Sequence, residues 1–445
     1  MQAREIALLA LQETEKNNIK SEQSLHRLLD KHNPDKNDRS LATELVNGTL
    51  RFRLKLDFMI SLHYHHDFKK AAPVLQNILR LGTYQLLFLD KIPGWAAVDE
   101  CVKLARKYKG RHISGIVNGV LRKIASEPAS TFNETLEKMP LSKRLSIEQS
   151  HTQWLVERWL DTYGEEQTIS MLRCNNASPL TALRINTLKT SPETMFAALK
   201  DASVAFSTCM QKRFILTRDF DACKPFIHLG LLTVQNPTQA IPCLLLGPLP
   251  GDTVLDMCAA PGGKTTFLAE MMQNKGTLIA VDRYPNKCRK IIQRANTLDI
   301  TIIRTVVADA RTIRPEKPPN AVLLDAPCTG TGVLGKKTEL RWRMSPEKLK
   351  ELTLLQSELL DHAADILKPG GVLVYATCSV EPEENALQIE RFLKSHPDFS
   401  RESPPETFQA IFREQKTAHP GSFLTLPGQH EGFDGGFAQR LRKKR

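Results

Sequence analysis

Hydrophobic positions in the first third of the chain recur every three or four residues. Ile6, Leu9, Ala10 and Leu11 open the series, and Leu25, Leu28 and Leu29, then Leu41, Leu45 and Val46, continue it. The spacing returns at Leu75, Ile78, Leu79 and Leu86, at Val98, Val102 and Leu104, and at Ile113, Ile116, Val117, Val120 and Leu121. A period near 3.6 interrupted by short polar turns predicts an all-α bundle over residues 1–145. From Glu127 to Ser150 the composition shifts to Ser, Pro, Glu and Lys, as expected of a linker with a helical portion. Residues 146–240 change character: two amphipathic helices over 151–175, around Trp154, Leu155, Trp159 and Leu160, precede strand-like runs at 179–186, 213–216 and 231–235 and a helix at 191–200. This predicts a small α+β region.

Past Pro250-Gly251 the pattern alternates strictly. Strands are expected at 253–257, 277–282, 302–308, 321–325 and 372–377, and helices at 264–273, 286–298, 346–367 and 382–395. Strands interleaved with helices predict a mostly parallel sheet covered on both faces, a Rossmann-like α/β domain over residues 241–445. Such sheets bind ligands beyond the carboxyl ends of their strands. Those ends hold the candidate chemistry of this sequence.

The first strand ends in Asp256-Met-Cys-Ala-Ala-Pro-Gly-Gly-Lys264. A phosphate-binding P-loop requires Gly five residues before Gly263, where Cys258 stands; the dinucleotide G-x-G-x-x-G pattern fails because Gly262 and Gly263 are adjacent. A glycine turn behind an acidic strand end, without a pyrophosphate cradle, suits a ligand with an amino group, a carboxylate and a ribose. S-adenosyl-L-methionine fits. The competing reading is a turn that only packs a helix on a strand. Asp282 ends the second strand, placed to accept from ribose hydroxyls, and Asp309 the third, placed to accept from an adenine amine. Singly, each is a common turn residue; three successive strand ends point to a site.

The fourth strand ends in Asp325-Ala-Pro-Cys328 and the fifth in Thr377-Cys-Ser379, so Cys328 and Cys378 are expected to face one cleft. Two thiols there suit pyrimidine chemistry. A thiolate adding to carbon-6 makes carbon-5 nucleophilic enough to take a methyl group, and Asp325 is placed to stabilise charge at N3 and the exocyclic amine. One Cys would attack and the other assist release; spacing leaves open which does which.

Composition narrows the partners. With 41% hydrophobic and 25% charged residues, 445 residues make ordinary globular domains, two or three of them. No apolar run approaches bilayer length and no signal-peptide core opens the chain, so no membrane association and a cytoplasmic location are expected. Nine cysteines without CxxC pairs exclude a disulfide framework and a zinc site; no metal is expected. A net charge of +12 calls for a polyanion, and residues 1–145 hold 24 Lys and Arg against 16 Asp and Glu. The densest run, Lys103, Arg106, Lys107, Lys109 and Arg111, is the candidate RNA contact; its plainer reading is a solvated helix end. His63, His65 and His66 read as surface residues.

The helical part resembles NusB-type RNA-binding domains in Asn37-Asp-Arg-Ser-Leu-Ala-Thr-Glu-Leu-Val-Asn-Gly-Thr-Leu-Arg51, Arg80-Leu-Gly-Thr-Tyr-Gln-Leu-Leu and Asn118-Gly-Val-Leu-Arg122. Asp256-Met-Cys-Ala-Ala-Pro-Gly-Gly-Lys-Thr, Asp325-Ala-Pro-Cys and Thr377-Cys-Ser resemble the motifs of the RNA (cytosine-5) methyltransferase family. Arg184-Ile-Asn-Thr, Trp342, Lys368-Pro-Gly-Gly371 and Asp434-Gly-Gly-Phe match as well. Together they resemble the bacterial 16S ribosomal RNA methyltransferases of the Fmu/RsmB type. The resemblance implies a class I methyltransferase with a seven-stranded sheet, acting on carbon-5 of a cytosine in 16S RNA as a monomer. It further implies Cys378 as nucleophile, Cys328 in product release, and a pocket for S-adenosyl-L-methionine and base formed by Asp256, Met257, Cys258, Ala259, Ala260, Pro261, Gly262, Gly263, Lys264, Asp282, Asp309 and Asp325. The chain departs from the family at Asn236-Pro237, where an acidic residue is usual, at Lys287, where Arg is common, and at Thr329, where Ser is common. Cys258 itself is expected to be structural. The alternatives are an RNA-binding assembly or transcription factor on an inactive methyltransferase fold, and methylation of another RNA such as tRNA; protein or DNA as substrate would leave the helical domain unexplained.

Overall fold

A computed structural model describes residues 1–17, 19–127, 129–412 and 418–445, without the side chains of 129–131. Pro128, inside the expected linker, lies outside the described residues. The chain forms two compact units: Met1–Asn176 with Lys337–Arg343, and Ala177–Lys336 with Met344–Arg445.

The first unit is helical, and its periodic apolar positions converge on one core that includes Ile6, Leu45, Ile78, Leu79, Val117 and Leu121. Two of the family-like stretches meet here. The Tyr84 ring lies so close to Gly48 that a Cβ there would fall 1.9 Å from it, and Tyr84 Oη donates to Glu44 Oε1 at 2.5 Å. Gly110, at φ +83°, divides the Gly94–Ser126 helix into two arms. The expected helix pair over 151–175 is Gln153–Asn176, bent at Gly164; it belongs to this unit, whereas the sequence pattern groups it with the α+β region. The stretch expected to be a linker holds helices Ala129–Glu137 and Leu141–Glu148. His63, expected on the surface, is instead drawn to Glu127, Nε2 to Oε2 2.6 Å.

Lys337–Arg343 follows the Cys328 loop in sequence but packs within the helical unit. Arg341 is buried there and donates to the carbonyls of Arg51 (3.0 Å), Ser150 (3.2 Å) and Asn175 (2.6 Å) and to Asn176 Oδ1 (2.8 Å). Trp342 Nε1 donates to the Leu50 carbonyl at 2.8 Å. Carbonyl oxygens around both terminal nitrogens are what make burial of this charge tolerable without a carboxylate.

The second unit contains two sheets. Strands β1 (Thr181–Ile185), β2 (Phe206–Cys209), β3 (Phe214–Thr217) and β4 (Leu232–Val234) form an antiparallel sheet in the order β2-β3-β1-β4. The larger sheet contains β5 (Thr253–Met257), β6 (Thr277–Asp282), β7 (Ile303–Val307), β8 (Ala321–Asp325), β9 (Val372–Thr377), β10 (Phe399–Arg401), β11 (Ser422–Thr425) and β12 (Gly436–Lys443). Seven strands run in the order β10-β12-β9-β8-β5-β6-β7, with β11 also paired to β12. β5 to β9 are parallel neighbours, and β12 is antiparallel to β9. The β-formers that fill β5, β8 and β9 are buried on both faces, as a covered parallel sheet requires.

Arg184 of β1 secures the smaller sheet to the helix after the glycine turn. Its guanidinium is fully buried, donates to Glu270 Oε2 at 2.7 Å and to Thr266 Oγ1 at 3.2 Å, and lies 4.6 Å over the Phe267 ring. Thr187 donates to the other Glu270 oxygen at 2.9 Å. Removing one partner leaves a buried, uncompensated charge. We expect Glu270→Ala to destabilise the chain by about 3–5 kcal/mol, read as a fall in the urea unfolding midpoint.

Candidate active site

Order in the large sheet places β8 beside β9, so the loops at their carboxyl ends are neighbours. Cys328 and Cys378 meet there, Sγ to Sγ 3.2 Å, both half-buried. The Cys328 thiol is pushed well above its ordinary pKa, first by its hydrogen bond with Cys378 and then by burial. It therefore holds its proton. On the adjoining side Lys264 Nζ donates to Asp325 Oδ2 at 2.7 Å. Burial works against the Lys264 charge, but Asp325 beside it outweighs burial and raises the pKa, and Cys378 adds to the effect.

Asp325, Cys328 and Cys378 border an open cleft of about 940 Å³, its mouth included, along the strand ends. Of the residues expected to hold a methyl donor, Cys258, Ala260, Asp282, Asp309 and Asp325 line it. Asp282 Oδ1 accepts from Tyr284 N at 3.1 Å, and its second oxygen takes no hydrogen bond among the described residues. Tyr284, half exposed, and the apolar Leu355 and Leu359 complete the walls. Ala259, Pro261, Gly262, Gly263 and Lys264 are not on this cleft. Ala259 N donates to Val281 O at 2.8 Å, which joins the turn to β6; Gly262, at φ +94°, and Gly263 start the next helix. Lys264 lines a smaller cavity of about 360 Å³ together with Thr377, Cys378 and Gly435. Cys258 is pushed up to about 12 by burial and is no thiolate. Asp256 lies beneath the turn, fully buried, accepting from Thr265 Oγ1 at 2.6 Å. Asp309 already accepts from Arg311, Nη2 to Oδ2 2.8 Å and backbone N to Oδ1 3.0 Å, which holds its carboxyl at about 2.

Family models match the whole architecture: the NusB family over residues 1–126, the ferredoxin-like domain of RsmF/B-like methyltransferases over 151–219, and the 16S rRNA methyltransferase RsmB/F over 243–442. The chain is 33% identical over 452 residues to the probable ribosomal RNA small subunit methyltransferase B of Bacillus subtilis (strain 168), covering 99% of this chain and 98% of that protein. The chain belongs to the 16S rRNA methyltransferase RsmB/F family. The ribosomal RNA small subunit methyltransferase B of Pseudomonas putida is 32% identical, with 92% of each chain covered. The solved structure of PH0851 superposes with a TM-score of 0.81 at 27% identity, covering 100% of this chain and 99% of that one.

Within this family the chain's departures acquire physical reasons. Asn236 caps the Pro237–Leu246 helix, its Oδ1 accepting from Thr238 N (3.0 Å) and Asp434 N (3.1 Å), while its Nδ2 donates to Gly432 O at 2.7 Å. Aspartate could not make that last bond. Thr329 uses its hydroxyl, the group it shares with serine, to bond Glu384 Oε2 at 2.5 Å. Lys287 stands 3.7 Å from Asp282.

Glu384 is the residue the motifs did not disclose, although it sits in the Val-Glu-Pro-Glu-Glu-Asn run after Cys378. It is fully buried and accepts from Thr329 N (2.9 Å), Thr329 Oγ1 and Gln356 Nε2 (2.9 Å). Gln356 also donates to Pro327 O at 2.9 Å, and Ser379 Oγ lies 3.0 Å from Thr329 Oγ1. The residues beside both thiols are thus bound to one carboxylate. The Asp434-Gly-Gly-Phe stretch closes on the same loops: Gly435 N donates to Gly332 O at 2.7 Å, and a Cβ on Gly332 would fall 2.4 Å from Gly435 O.

The basic run is partly neutralised. Lys103 pairs with Asp99 and Glu100, each at 2.8 Å, and Lys107 with Glu5 at 2.6 Å, whereas Arg106, Lys109 and Arg111 have no ion pair among the described residues. No group of three or more His, Cys, Asp or Glu able to hold a metal occurs among the described residues, and no described helix is long and apolar enough to cross a membrane.

Two outcomes follow from the buried carboxyls. Glu384→Ala releases both loops; turnover should fall about 100-fold with little change in KM for RNA, whereas Thr329→Ser, which keeps the hydroxyl, should retain near-normal turnover. Burial, with one oxygen unpartnered, pushes Asp256 up from 3.8 to about 7. The folded chain then keeps a proton that the unfolded chain releases, so stability falls as pH rises from about 4 to 7. Asp256→Asn should flatten that slope in urea unfolding midpoints taken across the range.

Proposed function

We propose that the chain methylates carbon-5 of a cytosine in small-subunit (16S) ribosomal RNA, with S-adenosyl-L-methionine as methyl donor, through a covalent bond between Cys378 and carbon-6. The observation that carries this reading is the pair of thiols 3.2 Å apart beside the Lys264–Asp325 ion pair, in a member of this family. Residues 1–145 would hold RNA, with Lys103, Arg106, Lys107, Lys109 and Arg111 as one contact; 146–240 would be an intermediary region and 241–445 the methyl-transfer domain.

The cleft suits the donor. Asp282 offers a free carboxylate oxygen to ribose hydroxyls, Leu355, Leu359 and Tyr284 offer surface to a purine, and Cys258 and Ala260 sit at the turn. Asp309, bound to Arg311, would reach an adenine amine only by sharing its acceptor oxygens. When bound, S-adenosyl-L-methionine supplies an electrophilic methyl group, which carbon-5 takes.

Cys378 as thiolate adds to carbon-6, and the ring electrons move toward carbon-5 and N3. Asp325, held in place by Lys264, accepts from the exocyclic amine, and the Lys264 ammonium beside it offsets the charge gained at N3. Cys328 keeps its proton before the adduct forms, its hydrogen bond with Cys378 being the largest cause of its raised pKa and burial the next. Bonding of Cys378 to carbon-6 removes the first of these causes. Cys328, once it has given its proton to solvent in the open cleft, takes the carbon-5 proton as thiolate. The C–H electrons restore the carbon-5–carbon-6 double bond as the Cys378–carbon-6 bond breaks.

Transfer of radiolabelled methyl to unmodified 16S RNA tests the activity. Cys378→Ala should reduce incorporation to background, and Cys328→Ala should accumulate a protein–RNA adduct resistant to denaturation. An adduct formed by Cys378→Ala instead would exchange the two roles, and tight RNA binding without any incorporation would leave an RNA-binding scaffold.

A further inference from the structure

The two arms of the Gly94–Ser126 helix enclose a groove of about 790 Å³, wholly within the helical unit and separate from the thiol site. One wall carries Trp95, Val98 and Val102; the other carries Asn118 and Arg122. Trp95 is 76% exposed, more than any other large hydrophobic side chain among the described residues. An indole left in water at the mouth of a concave surface covers nothing in its own fold. Asp99, on the same wall, is engaged by Lys103 at 2.8 Å. Asn118 and Arg122 make no side-chain hydrogen bond or ion pair among the described residues, so the groove presents an amide and a guanidinium with their donors unused. The helix as a whole holds seven Lys and Arg against two acidic residues.

We propose that this groove binds single-stranded RNA, one base stacking on Trp95, its polar edge facing Asn118 and an adjoining phosphate facing Arg122. An unstacked base is an apolar face with a rim of donors and acceptors, joined to an anion. The groove supplies the complement of each part: an aromatic face, an amide able to both donate and accept, and a guanidinium. A protein strand or helix would not require an unpaired cation at that wall, and the excess positive charge favours a polyanion. The assignment rests on the reading that the chain acts on RNA.

Because Trp95 is mostly exposed, its replacement should leave the thermal unfolding curve unchanged. With a fluorescein-labelled transcript of unmodified 16S RNA and the full-length chain, Trp95→Ala should weaken binding about tenfold, the effect of losing one stacked base, while Trp95→Phe should stay within about threefold of wild type. Arg122→Ala should weaken binding and lower the slope of log Kd against log salt by about one ion. At saturating transcript all three variants should methylate at the wild-type rate. Wild-type affinity in both Trp95→Ala and Arg122→Ala, beside normal methylation by the unaltered chain, overturns the groove alone. An unaltered chain that neither binds nor methylates the transcript overturns the activity and the groove together. Loss of self-association in Trp95→Ala with RNA affinity intact would give the groove to a second copy and overturn the RNA assignment.

Discussion

Two thiols from different strand ends are held within 3.2 Å of each other. Backbone pairing alone does not achieve this, because loops at carboxyl ends leave the sheet ladder. Adjacent parallel strands β8 and β9 bring the loops near, and a single buried carboxylate, Glu384, then fixes the residues next to each thiol. The glycines at 332 and 435 serve the same end, since their backbones touch where side chains would force the loops apart. The loops are thus braced by hydrogen bonds to the residues that flank the thiols.

Two ion pairs brace the glycine turn and the strand-end loops. Arg184–Glu270 and Lys264–Asp325 are each placed where desolvation is costly, and each is supported by further hydrogen bonds or by a second charge. Arg184 reaches from the small antiparallel sheet to the helix that begins at Gly263, so the glycine turn is buttressed from behind. In the helical unit the corresponding task falls to Arg341, whose terminal nitrogens donate to carbonyl oxygens; its segment follows the Cys328 loop in sequence, yet it packs with helices more than 150 residues earlier.

Much of this was legible in the residues. The 3.6-residue period marked the helical unit, the alternation of apolar runs and helices marked the parallel sheet, and the rule that ligands sit at strand ends located Asp282, Asp325, Cys328 and Cys378 on one side of it. Spacing could not reveal how a candidate side chain is already engaged. Asp309 reads as a free acceptor but is bound to Arg311, and Lys264 reads as part of the donor turn but pairs with Asp325. Lys103 and Lys107 read as an RNA-facing run but are matched by Asp99, Glu100 and Glu5.

The sequence by itself determined the elements and the residue types at their ends, because hydrophobic period, glycine turns and strand-end chemistry are local properties of a chain. Only the tertiary structure decided which of those residues share a partner. Glu384, 56 positions beyond Cys328, became the brace of both thiol loops, and Arg341 became the anchor of a segment in the helical unit. Hydrogen bonds between residues so far apart depend on how the elements pack, and no periodicity along the chain encodes that packing.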